Sequence, residues 1–253
     1  MVKIIDLSLP LEDSPSEPQS VKVVHAPHAQ GVNRMADIFG CRPEDLPDGL
    51  AWANDSLELG AHSGTHVDAP WHYAPISEGK KSRTIDEMPL EWFYHDAVVL
   101  DMRHKPRGSG ITVEDLKKAL EKIKYKIKPF DIVLIQTDAD KMWGRKEYFD
   151  AGCGMTREST LWLVEQGVRV MGIDAWGWDR PFWAIKEEFA RTGQTNILWG
   201  AHFAGGEKEY CHIEKLANLD KLPRPFGFKV ACFPVKLAGG SAGWVRAVAI
   251  IKD

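Results

Sequence analysis

The chain has 253 residues, of which 44% are hydrophobic and 27% are charged, and its formal net charge is −4 at pH 7. This composition is typical of a globular protein with a sizeable core, and the negative charge argues against nucleic acid or an anionic membrane as a partner. No apolar run approaches the roughly 20 residues that span a bilayer, and the N-terminus turns acidic too soon for a signal peptide. The four cysteines are scattered along the chain, which suits reduced thiols. We therefore expect a cytoplasmic protein.

The N-terminal region holds short elements separated by loops that contain proline. We predict strands at Val2–Leu9 and Val21–Val24 and a short helix at Gly31–Phe39, with loops at 13–19 and 41–49. Proline and glycine in those loops disfavour regular structure.

Residues 62–72 form a dense cluster of histidine and aspartate, with the sequence His-Ser-Gly-Thr-His-Val-Asp-Ala-Pro-Trp-His. Imidazole nitrogen and carboxylate oxygen are common ligands of zinc and related divalent ions. His62, His66, Asp68 and His72 share parity, so an extended backbone would place all four side chains on one face. The glycine and proline inside the segment disfavour a helix. The pattern therefore predicts a metal site on an extended segment.

Strands and helices alternate in the middle of the chain. Apolar runs predict buried strands at Ala97–Asp101, Asp131–Ile135 and Val168–Ile173. Between them, Thr112–Lys124 and Thr156–Gln166 are amphipathic segments that begin with a threonine N-cap, which predicts two helices.

The last third continues with a helix and two strands. Pro181 precedes a predicted helix at Phe182–Arg191, and the strands are predicted at Phe228–Phe233 and Trp244–Ile251. Strands come first, then strand–helix alternation, then strands again, which predicts an α/β fold with a mixed sheet. Because no linker or internal repeat interrupts the sequence, we expect residues 1–253 to form a single domain.

The cluster resembles the signature of the metal-dependent cyclase family, which includes the bacterial kynurenine formamidases and the isatin hydrolases. It matches the pattern His-Ser-Gly-Thr-His-x-Asp-x-Pro-x-His at every fixed position. His202 and Glu214, twelve residues apart, also match the spacing of a histidine and a glutamate in the formamidases. The resemblance implies a fold of the swivelling β/β/α type and a homodimer or larger homo-oligomer.

The resemblance also implies roles for the matching residues. The metal ligands would be the histidines and acids of both segments, namely His62, His66, Asp68, His202 and Glu214. Asp68 and Glu214 would bridge two ions, and His72 would be the catalytic acid/base rather than a ligand. The cofactor would be Zn²⁺, with Mn²⁺ as the alternative, in one or two copies. His212 ranks below Glu214 as a ligand because it fits no family spacing.

Such a site favours hydrolysis of an amide-type C–N bond by metal-activated hydroxide. Trp71, Trp176 and Trp178 lie beside the candidate segments and indicate a small aromatic substrate, such as an arylformamide like N-formylkynurenine or an isatin-like lactam. A lactone or cyclic-imide hydrolase and a ring-closing cyclase are alternatives with the same ion. An alternative of another class is a metal-dependent ligand-binding protein without turnover.

A glycine-rich segment near the end of the chain contains a serine. Gly239–Gly243 matches the Gly-x-Ser-x-Gly nucleophile elbow around Ser241, but no histidine follows this serine in the chain, as that fold family requires. We therefore interpret the segment as a glycine-rich turn between strands.

Overall fold

A nine-stranded mixed sheet runs through the computed structural model, which describes residues 1–252. The strands of this sheet and of three small ribbons are β1 (Val2–Asp6), β2 (Lys22–Ala26), β3 (Asn54–Glu58), β4 (His66–Asp68), β5 (Ile76–Ser77), β6 (Lys80–Lys81), β7 (Tyr94–Asp101), β8 (Gly110–Ile111), β9 (Ile132–Gln136), β10 (Gly154–Met155), β11 (Val170–Ile173), β12 (Cys211–Glu214), β13 (Phe226–Ala231), β14 (Ala242–Trp244) and β15 (Val248–Lys252). The helices are α1 (Val32–Phe39), α2 (Pro70–Tyr73), α3 (Val113–Lys122), α4 (Arg157–Glu165), α5 (Phe182–Thr192) and α6 (Gly200–Glu207).

The sheet has the order β1-β15-β13-β7-β9-β11-β12-β4-β14. Strands β7, β9, β11 and β12 are parallel, and the outer strands on both sides pair antiparallel. The prediction of an α/β fold with a mixed sheet is therefore confirmed. The three buried strands predicted in the middle of the chain are β7, β9 and β11, at the centre of the sheet.

Two hydrophobic cores lie on opposite faces of the sheet, because alternate side chains of a strand point to opposite sides. Val98 and Val133 belong to one core, together with Leu116 of α3 and Leu163 of α4. Their neighbours on the strands, such as Val99 and Leu134, belong to the other core. Helices α3 and α4 thus cover the first face.

The predicted N-caps of α3 and α4 are confirmed. The Thr112 hydroxyl accepts a hydrogen bond from the Asp115 backbone N–H, and the Asp115 carboxylate accepts one from the Thr112 N–H at 2.8 Å. The Thr156 hydroxyl accepts from the Ser159 N–H in the same way. These reciprocal bonds satisfy helix N–H groups that would otherwise lack partners.

The prediction of one strand at Trp244–Ile251 is wrong, because two strands occupy this region. β14 pairs with β4 at one end of the sheet, whereas β15 pairs with β13 and β1 at the other. Residues 245–247 carry the chain between these positions. Apolar composition predicted the strand character of both parts, but the change of partner is a tertiary feature that local sequence does not encode.

Residues 22–58 form an exposed arm made of the β2–β3 ribbon and α1. The helix confirms the prediction at Gly31–Phe39 to within one residue. Every residue of β3 is exposed. Large apolar side chains exposed on the arm are Val24, Ile38, Phe39, Leu50, Trp52 and Leu57. Within residues 1–252, no helix has both the length and the apolar character needed to cross a bilayer.

Replacing Gly205 of α6 with alanine is expected to destabilise the protein by about 1–3 kcal/mol. A Cβ there would lie 2.1 Å from Cδ2 of the buried Tyr73 ring. Gly200 of the same helix is the matched control, because its Cβ would meet its nearest neighbour at 3.5 Å. Equilibrium urea unfolding should give a lower midpoint for Gly205→Ala and an unchanged or higher one for Gly200→Ala. Equal midpoints would contradict the close packing of α6 on Tyr73.

Candidate metal centre

The buried Asp68 lies at the centre of a group of histidines. It ends β4, which pairs with β12 on one side and β14 on the other. In the register with β12, Asp68 lies opposite His212 and His66 lies opposite Glu214. Sheet pairing therefore brings the 62–72 segment next to residues that follow it by about 150 positions.

Five histidines surround the Asp68 carboxylate. Its Oδ1 lies 2.9 Å from His62 Nδ1 and 3.1 Å from His66 Nε2. Its Oδ2 faces the Nε2 atoms of the other three, at 3.2 Å for His212, 3.5 Å for His72 and 3.7 Å for His202. Glu214 completes the cluster, with Oε1 3.3 Å from His202 Nε2 and 3.2 Å from His212 Nε2, and Oε2 3.6 Å from His66 Nε2.

Four of these histidines use their second ring nitrogen to contact an orienting partner. The pairs are His62 Nε2 with Ser241 Oγ at 3.0 Å, His66 Nδ1 with the Gly64 carbonyl at 2.9 Å, His202 Nδ1 with Asp179 Oδ2 at 2.6 Å, and His212 Nδ1 with the Tyr73 hydroxyl at 3.0 Å. Metal-binding histidines usually have such partners, which fix the tautomer and the ring orientation. Within residues 1–252, the second nitrogen of His72 has no hydrogen bond, so His72 differs from the other four.

Burial and charge oppose each other in the cluster. Burial favours a higher pKa for Asp68, but the surrounding histidines hold it well below the usual value. For Glu214, burial acts the same way, and hydrogen bonds to His202 and His212 hold its pKa well below normal. Burial lowers the pKa of His72 to about 4, against the attraction of Asp68. His72 is therefore neutral near pH 7.

The donor atoms fit a divalent cation. Among the described residues, His66 Nε2 and both carboxylate oxygens of Asp68 are buried without a hydrogen-bond partner. Leaving such atoms unpaired is costly, and buried charges are normally paired or bound to metal. Asp68, His202, His212 and Glu214 could hold one ion, and His62, Asp68 and His72 form a second group that shares Asp68.

All six residues predicted for metal binding or acid/base catalysis lie in this one cluster, although their roles stay predictions. The prediction of one extended segment at residues 62–72 is wrong. Only His66 and Asp68 lie on a strand, whereas His62 precedes it in a turn and His72 lies in the helical turn α2 that begins at Pro70. His212, which ranked lower in the sequence, also lies in the cluster. Its alternation with Glu214 on β12 is the signal that would have placed it there.

A cavity of about 440 Å³ opens beside the cluster and touches His62, His72, His202 and Glu214. Its aromatic lining consists of Phe149, Trp176, Phe182 and Trp199. Trp199 stacks on His202 with ring centroids 4.1 Å apart. The sequence did not single out Phe149, Phe182 or Trp199.

The three tryptophans predicted to contact substrate occupy different places. Trp176 lines the cavity, where its ring lies near Phe149 and Phe182. Trp178 is fully buried outside the lining and stacks on His212, with ring centroids 5.3 Å apart. Trp71 is 40% exposed and is not part of the lining. Trp176 is thus the member of the three whose place fits the predicted role.

A second group of acids, Asp138, Asp140 and Asp174, lies near the end of β11. Burial raises the pKa of Asp174 to about 7. Its carboxylate accepts hydrogen bonds from the Thr137 N–H and hydroxyl and from the Asp138 N–H. Because the Asp174 oxygens already accept hydrogen bonds, this group stabilises a turn. It differs from the Asp68 cluster, where both carboxylate oxygens of Asp68 have no hydrogen-bond partner among the described residues.

Known proteins resemble this chain in sequence and in fold. An isatin hydrolase of Roseibium aggregatum is 27% identical over 213 residues, which cover 81% of this chain and 77% of that protein. A kynurenine formamidase of Salinibacter ruber is 27% identical over 199 residues, which cover 76% and 77% respectively. A solved isatin hydrolase bound to the product analogue thioisatinate superposes with a TM-score of 0.78 at 21% identity, over 100% of this chain and 93% of that one. The last comparison confirms the predicted fold type.

A family model described as "Putative cyclase" matches residues 5–180. The matched range includes the whole 62–72 segment and strand β4, whereas β12 and β14, which pair with β4, lie beyond it. The chain therefore belongs to the cyclase family.

Proposed function

We propose that this protein is a metal-dependent hydrolase that cleaves an amide-type C–N bond in a small aromatic substrate, and that residues 1–253 act as one domain. The observation that carries the proposal is the buried Asp68 carboxylate, whose two oxygens have no hydrogen bond to any described residue and face five histidines beside an aromatic cavity. Relatives named isatin hydrolase and kynurenine formamidase support an isatin-like lactam or an arylformamide, such as N-formylkynurenine, as the substrate class.

The residues that would hold the cation are those of the Asp68 cluster. They are His62, His66, Asp68, His202 and Glu214, with His212 as a further nitrogen donor. A bound Zn²⁺ or Mn²⁺ would lower the pKa of a coordinated water and polarise a carbonyl oxygen. A set of nitrogen and oxygen donors without thiolate suits both ions.

His72 would move the proton during the reaction. Its Nε2 lies 3.5 Å from Asp68 Oδ2, and its side chain is 25% exposed at the cavity. Since its pKa is about 4 in this environment, the imidazole is neutral near pH 7 and has a lone pair to accept a proton. It would accept the proton of the attacking water at Nε2 and return it to the leaving nitrogen.

The aromatic walls would bind the substrate ring and exclude water. Phe149, Trp176 and Phe182 line the cavity and pack edge to face, with ring centroids 4.5–5.8 Å apart. A flat ring between these walls would direct its amide carbonyl towards the cluster. The volume of about 440 Å³ fits a small molecule rather than a polymer.

Two alternatives use the same site. A lactone or cyclic-imide hydrolase, or a ring-closing cyclase, would need the same cation and the same proton transfer. A binding protein without turnover would need the cation and the aromatic walls, but it would not need a neutral histidine that lacks an orienting partner. The second nitrogen of His72, which has no hydrogen bond in the described part of the chain, favours the enzyme.

The experiment is an activity panel of an arylformamide, isatin and an aryl lactone, with untreated protein, chelator-treated protein and protein resupplied with Zn²⁺ or Mn²⁺. We expect turnover of the formamide or of isatin, loss after chelation and recovery with one of the ions. Preferential turnover of the lactone would support the first alternative. Cation binding without turnover of any compound would contradict the enzyme and support the binding protein.

We also propose that the protein is cytoplasmic and forms a homodimer or larger homo-oligomer through the exposed arm of residues 22–58. The arm carries six exposed large apolar side chains on an isolated two-stranded ribbon and one helix. Such a ribbon is only marginally stable by itself. Light scattering should give a multiple of 28.4 kDa, and a monomer at micromolar concentration would contradict this proposal.

A further inference from the structure

The two ring nitrogens of His62 face different partners. Nδ1 lies 2.9 Å from Asp68 Oδ1, inside the cluster, and Nε2 lies 3.0 Å from Ser241 Oγ, outside it. Ser241 is the serine of the Gly-x-Ser-x-Gly segment, so a motif that did not fit a nucleophile elbow lies against the metal cluster.

A neutral imidazole carries one proton, and the position of that proton decides which nitrogen can bind a cation. For Nδ1 of His62 to present its lone pair beside Asp68, the proton has to lie on Nε2. The Ser241 hydroxyl oxygen can accept a hydrogen bond from Nε2–H at the observed distance of 3.0 Å. A hydroxyl can also donate to a bare Nε2, so the contact is compatible with both tautomers, and a cation at Nδ1 would require the hydroxyl to be the acceptor.

The fold fixes Ser241 independently of its side chain. The Ser241 carbonyl accepts a hydrogen bond from the Ala69 N–H at 2.9 Å, and the next residue begins β14, opposite Asp68 in the β4 register. Gly239 has φ +67, in the left-handed region that suits glycine, and forms the preceding turn. Backbone pairing thus places the hydroxyl, and removing it should leave the strand intact.

We propose that Ser241 is a positioning residue of the metal site, which holds His62 in the Nε2–H tautomer and directs Nδ1 at the cation. This inference rests on the proposed metal-dependent function. Ser241 would thus orient the His62 ring through its second nitrogen. The Gly64 carbonyl contacts the second nitrogen of His66 in the same way, and the Asp179 carboxylate contacts that of His202.

The test compares Ser241→Ala, Ser241→Thr and the control Ser82→Ala. Ser82 is also buried, but its hydroxyl has no hydrogen bond within residues 1–252. The first measurement is the Zn²⁺ affinity of metal-free protein, by competition with a chromophoric chelator. We expect Ser241→Ala to weaken binding by about 10- to 100-fold. Ser241→Thr, which keeps the hydroxyl, should recover most of the affinity, and Ser82→Ala should match the wild type.

The second measurement is the imidazole N–H resonance of His62 in zinc-loaded protein labelled with ¹⁵N histidine. We expect a protected Nε2–H signal in the wild type that is lost to solvent exchange in Ser241→Ala, whereas the signals of the other ligand histidines remain. A defect of folding alone would change all of them together.

The outcomes separate this inference from the proposed function. If the wild type binds Zn²⁺ tightly and Ser241→Ala binds it equally well with the same His62 signal, the role of Ser241 is refuted and the proposed function stands. If the wild type binds neither Zn²⁺ nor Mn²⁺, both fail. Covalent labelling of Ser241 by a fluorophosphonate would also overturn the inference, because it would identify the serine as a nucleophile.

Discussion

Replacing Asp68 with asparagine is expected to abolish tight cation binding and to lower kcat/KM by about 10³-fold or more. Among the described carboxylates, only that of Asp68 contacts all five histidines of the cluster, and Asp68 belongs to both histidine-containing groups that could hold an ion. Asparagine keeps the size of the side chain but loses the charge and one of the two anionic oxygens. A bound ion contributes several kcal/mol to catalysis, and about 1.36 kcal/mol corresponds to tenfold in rate.

The measurements for Asp68→Asn are elemental analysis after dialysis and steady-state kinetics on the substrate that the panel identifies. Asp96→Asn is the matched control, because Asp96 also lies on a strand of the main sheet but is half-exposed and paired with Lys128 and Lys229. It should keep both metal and turnover. A fully active Asp68→Asn variant with normal metal content would refute the role of the carboxylate.

The second large effect is expected for His72→Ala, which should lower kcat by about 10²- to 10⁴-fold while the metal content stays normal. His72 is the histidine of the cluster whose second ring nitrogen lacks an orienting hydrogen bond within residues 1–252. Removing it takes away the group that accepts the proton of the attacking water and leaves the other donors in place.

Two readouts decide the role of His72. Elemental analysis should show the wild-type amount of metal, and single-turnover kinetics should show a slow chemical step. His104→Ala, at an exposed histidine far from the cluster in sequence and outside the lining of its cavity, is the control and should behave as the wild type. If His72→Ala loses the metal as well, then His72 is a ligand and the assignment of roles is wrong.

The sequence predicted those parts of the fold that depend on local pattern. Strands β9 and β11 and the second half of β7 are buried on both faces and therefore appear as continuous apolar runs. The threonine caps of α3 and α4 bond to residues three positions away. Pairing of β4 with β12 and β14 joins segments that are far apart in the chain. No local pattern encodes such pairing, so the division of residues 242–252 between two strands was missed.

Local sequence pattern also predicted only part of the candidate site. The density of histidine in residues 62–72 predicted a cluster, but the geometry that brings His62 and His72 to Asp68 comes from a turn and from α2, not from one extended strand. His212 joins the cluster because β12 adds beside β4, which only tertiary structure reveals. Tertiary structure also decides the places of two nearby tryptophans: Trp176 lines the cavity, whereas Trp178 is buried against His212.

The most direct measurement of the central claim is anomalous diffraction from crystals grown with Zn²⁺ or Mn²⁺, recorded on both sides of the absorption edge of the metal. We expect an anomalous peak about 2.0–2.2 Å from a carboxylate oxygen of Asp68 and from at least two of the surrounding histidine nitrogens. A map without a peak within coordination distance of Asp68, or with the ion only at Asp138, Asp140 and Asp174, would contradict the account.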